Sequence, residues 1–144
     1  MKVFVLGTGG WGIALAMLLH QNGHEVTSWT YLQEECDLLH RERCNEKLLP
    51  GVVIPEGIEI TTDMSGAAKA DLVVLAVPSF AVASTAEQLA KIVPPHTVIV
   101  NVGTGLDSNH GYCRLSDAIS NAMNASNPVV ALPGPTHAAA VARG

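Results

Sequence analysis

The segment that decides the fold is Lys2–Leu6 (KVFVL), followed directly by Gly7–Gly12 (GTGGWG). After Lys2 the first stretch is wholly apolar, which is typical of a buried strand. The next six residues fit the pattern G-x-G-x-x-G, and they open a segment of helical length that continues to Gln21. A glycine pattern between a strand and a helix predicts the first turn of a βαβ unit that binds a dinucleotide.

The glycines of this turn are expected to serve three purposes. Gly7 permits a sharp turn, Gly9 has no Cβ and so lets the backbone approach a pyrophosphate, and Gly12 allows the helix to pack closely on the strand. Free backbone N–H groups and the helix dipole supply the attraction for the anion. The alternative at this point is a tight structural turn that binds no ligand.

The rest of the chain alternates short apolar runs with segments of helical length. Further strands are predicted at Glu25–Trp29, Ile58–Thr61, Asp71–Val77, Thr97–Val102 and Pro128–Leu132. Helices are predicted at Leu32–Glu46, Met64–Ala70 after an Asp63 cap, Ser79–Ile92 with Ser79 as its cap, Leu115–Met123 and Pro135–Arg143. This alternation predicts an α/β fold of the Rossmann type, with a doubly wound, mainly parallel sheet and one domain over residues 1–144.

Composition narrows the class of protein. The 144 residues are 48% hydrophobic and only 15% charged, as expected for a sheet that is covered on both faces. A net charge of −5 argues against a nucleic-acid or acidic-membrane partner, and apolar runs such as Leu72–Val77 are far too short to span a bilayer. Cys36, Cys44 and Cys113 show no metal-binding spacing. They indicate reduced thiols in a cytoplasmic protein, and no metal site is predicted.

The end of the second strand bears on the choice of nucleotide. A unit that prefers NAD usually carries an acid about twenty residues past the glycines, but the strand ends at Trp29, Thr30 and Tyr31 without one. Because no acid at the strand tip would repel a 2′-phosphate, the sequence tolerates NADP. Thr30 could donate a hydrogen bond to that phosphate, but no arginine is present at the tip to hold it. Glu34 and Glu35 are expected on a solvated helix face. The preference between NAD and NADP stays open.

Five stretches in order carry a family resemblance: Gly7–Ala16 (GTGGWGIALA), Asn22–Val26 (NGHEV), Arg43–Pro50 (RCNEKLLP), Ala76–Ser79 (AVPS) and Leu132–Gly144 (LPGPTHAAAVARG). Along essentially its whole length the chain resembles the bacterial type of NAD(P)-dependent glycerol-3-phosphate dehydrogenase. The resemblance implies an enzyme that interconverts dihydroxyacetone phosphate and glycerol 3-phosphate for phospholipid synthesis. It also implies a homodimer when full length, and a general acid/base lysine in a C-terminal helical domain beyond residue 144.

The resemblance also assigns residues. It implies cofactor contacts at Gly10, Trp11, Thr30, Tyr31 and Ala138, although Tyr31 stands where the family commonly has Arg or His. Gly134 and Thr136 match the family's contacts with the glycerol phosphate. These two residues also follow a predicted parallel strand and open a helix, which is where sheets of this type bind ligands. Arg43 and Asn45 are expected to hold the following loop and to take no part in catalysis.

Thr104 is the main departure from the family. The family carries Ser-Lys-Gly-Ile-Glu after the fifth strand, whereas this chain has Gly103–Asp107 (GTGLD). Thr104 therefore occupies the place of a lysine that lies between cofactor and substrate. A hydroxyl donates a hydrogen bond there but supplies no charge, and losing such a group costs about two to three orders of magnitude in rate. Two alternatives follow: a nucleotide-binding module with impaired catalysis, or a related dehydrogenase acting on another small acidic substrate.

Overall fold

A computed structural model describes residues 1–44, 50–102, 106–107, 113–123 and 127–131 of the chain. The strands are β1 (Lys2–Leu6), β2 (Glu25–Trp29), β3 (Glu59–Thr61), β4 (Leu72–Leu75), β5 (Val98–Asn101), β6 (Leu106–Asp107), β7 (Cys113–Arg114) and β8 (Val129–Ala131). The α-helices are α1 (Gly10–Gln21), α2 (Gln33–Glu42), α3 (Ser79–Ala90) and α4 (Leu115–Ala122), with a 3₁₀-helix at Met64–Lys69. None of the described helices is long and apolar enough to cross a membrane.

Six of the strands form one parallel sheet in the order β3-β2-β1-β4-β5-β8. From β1 the chain moves outward to β2 and β3, then returns to the other side of β1 to add β4, β5 and β8. This reversal of strand order beside β1 is the topological switch point of a doubly wound sheet. The predicted α/β fold with a parallel sheet of the Rossmann type is confirmed, and all six predicted strands belong to that sheet.

Apolar side chains cover both faces of the sheet. Val3 and Val5 of β1 belong to one hydrophobic cluster, in which residues of α1 and α2 also pack. Phe4 and Leu6 belong to a second cluster, which includes residues of α3, α4 and the 3₁₀-helix. Alternate residues of a strand point to opposite faces, so a central strand covered on both faces must be apolar throughout. This requirement explains why β1 could be predicted as a strand from its apolar residues alone.

Two predicted helix boundaries are wrong. Helix α2 was predicted to reach Glu46 but ends at Glu42, because Arg43 adopts a left-handed conformation (φ 54°) and its N–H donates to the Leu39 carbonyl. Ser79 was predicted as the cap of α3, but it is the first helical residue and Pro78 is the N-cap. Proline fixes its own φ, which is −56° here, and with a ψ of 149° it supplies the extended residue before the helix.

Among the smaller predicted features, one cap is confirmed and one pair of strands was missed. The Asp63 cap is confirmed, since its carboxylate accepts a hydrogen bond from the Ser65 N–H at 2.9 Å and this contact lowers the pKa of the carboxyl group. The antiparallel pair of β6 and β7 was missed. Each of those strands has two residues, which is too short for a periodic signal. The predicted helix Pro135–Arg143 lies outside the described residues.

Candidate functional site

A cleft of about 470 Å³ lies at the carboxyl ends of β1, β2 and β4. Ligands of open α/β sheets bind in the crevice that the reversal of strand order leaves at this edge. The residues lining it come from the turn after β1, the end of β2, the first part of α2 and one side of α3. They are Gly7, Thr8, Trp29, Thr30, Tyr31, Leu32, Glu35, Val77, Pro78, Phe80, Ala81, Ser84, Thr85 and Gln88.

Two glycines of the turn are required by packing. Gly7 has φ 121°, and a Cβ at this position would run into the Ala76 carbonyl. A Cβ at Gly12 would run into the Gly7 carbonyl oxygen and come within 3.4 Å of the Ala76 Cβ. The Gly7 N–H donates to the Trp29 carbonyl at 2.9 Å, which ties the turn to β2. Both glycines therefore hold α1 against the sheet with or without a ligand.

Gly9 is different, because no packing requirement explains it. A Cβ added at Gly9 would meet no heavy atom within 4 Å, and its φ of −68° suits any residue. Gly9 is the N-cap of α1, the helix has no side-chain cap hydrogen bond, and its first turn holds no acidic residue. The first N–H groups of a helix have no acceptor within the helix. The open space beside Gly9 thus fits an anion that approaches the backbone closely.

Trp11 presents its backbone and its side chain to different surroundings. Its indole ring packs against the cluster formed with α1 and α2. The indole Nε1 is buried and has no hydrogen-bond partner in the described part of the chain. The side chain therefore anchors the first turn of α1 in the core. The backbone N–H of Trp11 remains at the start of the helix, near the open space beside Gly9.

The end of β2 supplies a buried and an exposed residue. Thr30 is only 3% exposed, and its N–H donates to the Thr61 carbonyl at 2.9 Å. Tyr31, which is 80% exposed, borders the cleft. The Thr30 hydroxyl accordingly offers little surface to a nucleotide, and Tyr31 is the residue at this end whose ring is free to meet one.

Phe80 was missed at the sequence level. It lies in the first turn of α3 and is 71% exposed, although it is one of the largest apolar side chains of the protein. Tyr31 follows β2 and Phe80 follows β4, so the two rings border the cleft from strands on either side of β1. Exposed aromatic rings at a cleft offer stacking surfaces for a flat heteroaromatic group. The sequence signal that could have found Phe80 is a large apolar residue two positions after Pro78, at the start of a helix that follows a buried strand.

Glu35 corrects the expectation of a solvated helix face. Its side chain is half-buried, lines the cleft and accepts a hydrogen bond from the Thr8 hydroxyl at 2.6 Å. Glu34, the neighbouring residue, is exposed as expected. The sequence does not show how α2 is rotated about its axis, so it could not separate Glu35 from the exposed Glu34. Glu35 reaches the cleft from the first turn of α2, which borders it.

Arg43 holds the segment after α2, as expected from the sequence. Its guanidinium donates to the Pro55 and Ile58 carbonyls, each at 2.9 Å, and lies 3.5 Å from the Glu56 carboxylate. These contacts are remote from the cleft, because none of these residues lines it. Asn45 lies outside the described residues.

Several predicted site residues also lie outside the described ranges: Thr104, Gly134, Thr136 and Ala138. Their roles remain predictions. Among the described residues, no group of three or more His, Cys, Asp or Glu side chains is placed to hold a metal ion.

Cys36 is buried, and its thiol donates to the Ile60 carbonyl at 3.7 Å. Burial is the larger cause that raises the pKa of this thiol, and the nearby Asp37 charge is the smaller one.

Comparison with known proteins gives a consistent result. Residues 2–144 match the family model described as NAD-dependent glycerol-3-phosphate dehydrogenase N-terminus. The glycerol-3-phosphate dehydrogenase [NAD(P)+] of Fusobacterium nucleatum is 41% identical over 146 residues, which is 100% of this chain and 43% of that protein. The enzyme of the same name from Prosthecochloris aestuarii is 43% identical, over 96% of this chain and 42% of that protein.

A solved structure agrees with these sequence matches. The crystal structure of glycerol-3-phosphate dehydrogenase from Coxiella burnetii superimposes with a TM-score of 0.89 at 26% identity, covering 99% of this chain and 43% of that one. The chain thus spans about two fifths of the length of the relatives that it matches. The chain belongs to the family of NAD-dependent glycerol-3-phosphate dehydrogenases and corresponds to its N-terminal part.

Proposed function

We propose that this chain is the NAD(P)-binding domain, over residues 1–144, of a glycerol-3-phosphate dehydrogenase. The whole enzyme interconverts dihydroxyacetone phosphate and sn-glycerol 3-phosphate and serves glycerophospholipid synthesis. The observation that carries the proposal is the family match over residues 2–144, which includes the whole glycine turn. The open space at Gly9 beside the start of α1 supports it.

The residues present fit the dinucleotide. Backbone N–H groups at the start of α1, in the segment that contains Gly9, Gly10 and Trp11, would hold the pyrophosphate. Tyr31 would meet the adenosine end, and Gly7 and Gly12 keep the turn in shape. When bound, the nicotinamide supplies the hydride of the reaction. These residues orient the cofactor, whereas the general acid/base lysine belongs to a domain beyond residue 144.

The substrate side of the site is proposed on the family resemblance alone. Gly134 and Thr136 hold the glycerol phosphate, Ala138 contacts the cofactor, and Thr104 donates a hydrogen bond where the family has a lysine. We propose further that the whole protein is cytoplasmic and forms a homodimer. The scattered spacing of Cys36, Cys44 and Cys113 supports a reducing compartment, since it is typical of cytoplasmic proteins.

A second candidate function rests on Thr104. Without the family's lysine, the protein binds the nucleotide but turns over dihydroxyacetone phosphate slowly or not at all. The variant Thr104→Lys in the complete protein separates the two candidates. A rise in rate of about two orders of magnitude would support the impaired module, while a wild-type rate typical of enzymes, about 1–10³ per second, would support the dehydrogenase.

Nucleotide binding itself is tested by titrating this chain with NADH and following tryptophan fluorescence. Trp11 lies in the glycine turn and Trp29 lines the cleft, so bound reduced nicotinamide should quench the emission saturably. The variant Gly9→Glu fills the open space with a bulky negative side chain, and it should abolish the quenching while the fold is retained. The absence of binding to the folded wild-type chain at millimolar NADH would refute the proposal.

A further inference from the structure

Glu35 sets the charge of the cleft. It is the only charged residue among those that line the cleft in the described part of the chain, and no lysine or arginine lines it. It lies in the first turn of α2, it is half-buried, and one of its carboxylate oxygens accepts the hydrogen bond from the Thr8 hydroxyl at 2.6 Å. The carboxylate is therefore fixed at a defined place on the wall of the cleft.

That place lies between the two ends of the proposed nucleotide site. Thr8 is the residue between Gly7 and Gly9, so its hydroxyl adjoins the turn that meets the pyrophosphate. The aromatic border of the cleft, Tyr31 and Phe80, marks the region for the adenine. In a dinucleotide the adenosine ribose joins these two groups. A ribose in this cleft accordingly lies next to the carboxylate that Thr8 holds.

The chemistry of this carboxylate distinguishes the two nucleotides. An ionised carboxylate only accepts hydrogen bonds, and the oxygen that Thr8 leaves free has no other partner among the described residues. A ribose hydroxyl donates to such an oxygen, as acids at the end of the second strand do in other dinucleotide folds. A 2′-phosphate brings negative charge to the same place, where none of the described residues that line the cleft carries a positive charge to balance it.

We propose that Glu35, positioned by Thr8, makes this site select NAD over NADP. The inference rests on the proposed function, since it presumes a dinucleotide in the cleft. Glu35, from the helix that follows β2, takes the place of the acid that is missing from the tip of that strand. Thr8 acts as a positioning residue, because it holds the carboxylate by a hydrogen bond from its hydroxyl.

The test is the ratio of the NADPH and NADH dissociation constants, measured by fluorescence titration of the chain. The wild-type chain should bind NADH at least roughly tenfold more tightly than NADPH, as expected for one hydrogen bond to a charged group. Glu35→Gln should weaken NADH binding, strengthen NADPH binding and bring the ratio close to one. Glu34→Gln removes the same charge from an exposed neighbour and should leave the ratio unchanged. Thr8→Val should lower the ratio in the same direction as Glu35→Gln.

The outcomes separate this inference from the proposed function. Equal wild-type affinities for NADH and NADPH, or a ratio that Glu35→Gln does not change, would overturn the selection by Glu35 and leave nucleotide binding intact. A ratio that falls equally in Glu34→Gln and Glu35→Gln would also overturn it, because the effect would then be one of net charge. Failure of the folded wild-type chain to bind either nucleotide would overturn both. Equal wild-type affinities would overturn the inference without any variant, so it can be refuted even if a substitution impairs folding.

Discussion

Three glycines of one motif have separate physical reasons in this structure. Gly7 has a left-handed φ and no room for a Cβ, and Gly12 lies against the Gly7 carbonyl. Only Gly9 is surrounded by open space. A motif pattern cannot separate these roles, since it records only that each position is glycine. Packing accounts for Gly7 and Gly12 but not for Gly9, which agrees with the ligand contact that we propose for Gly9.

Alanine substitutions distinguish the two kinds of glycine. Gly12→Ala places a Cβ against the Gly7 carbonyl, so we expect the free energy of unfolding to fall by about 1–3 kcal/mol. Gly9→Ala meets no atom within 4 Å, and its effect on stability should stay within about 1 kcal/mol, the cost of alanine at an N-cap. Gly9→Ala should instead weaken NADH binding. Urea unfolding of both variants measures the difference, and equal losses of stability would contradict these assignments.

At the scale of elements, local patterns predicted the strands of the sheet but not the end of α2. Strands buried on both faces must be apolar, so β1, β4 and β5 stand out in the sequence. Helix α2 ends where Arg43, which is not glycine, takes a left-handed conformation. Its side-chain contacts with Pro55 and Ile58 help to hold this arrangement. Those carbonyls are distant in sequence, and no helical pattern contains them.

The role of Arg43 gives a second stability prediction. Arg43→Ala removes the guanidinium donor from the buried contact at the Ile58 carbonyl, and it removes one of two donors from the Pro55 carbonyl, which keeps the Ile58 N–H at 3.1 Å. The substitution should lower the free energy of unfolding by about 1–3 kcal/mol. Arg41→Ala, in the exposed last turn of the same helix, should change it by no more than about 0.5 kcal/mol. Thermal unfolding of the two variants provides the comparison. If both alanine variants were equally stable, Arg43 would not hold this segment.

At the scale of the whole molecule, the position of the cleft and part of its lining (Gly7, Thr30 and Tyr31) were predictable, whereas Glu35 and Phe80 were not. The glycine turn and the alternation of strands and helices placed a nucleotide site at the carboxyl edge of the sheet. Phe80 and Glu35 reach that edge from helices, and the sequence does not show how far each helix is rotated about its axis. The spacing of residues therefore predicted where the cleft lies, whereas packing of α2 and α3 determined which side chains line it.

The central claim is that a dinucleotide binds with its pyrophosphate at the start of α1. The most direct test is an ¹⁵N–¹H correlation spectrum of this 15.1 kDa chain, recorded with increasing NADH. The largest shifts are expected at the backbone amides of Thr8–Gly12, with further shifts at Thr30–Leu32. Shifts concentrated around Lys2, Glu25 and Lys69, which line a small separate pocket away from the glycine turn, would contradict the claim.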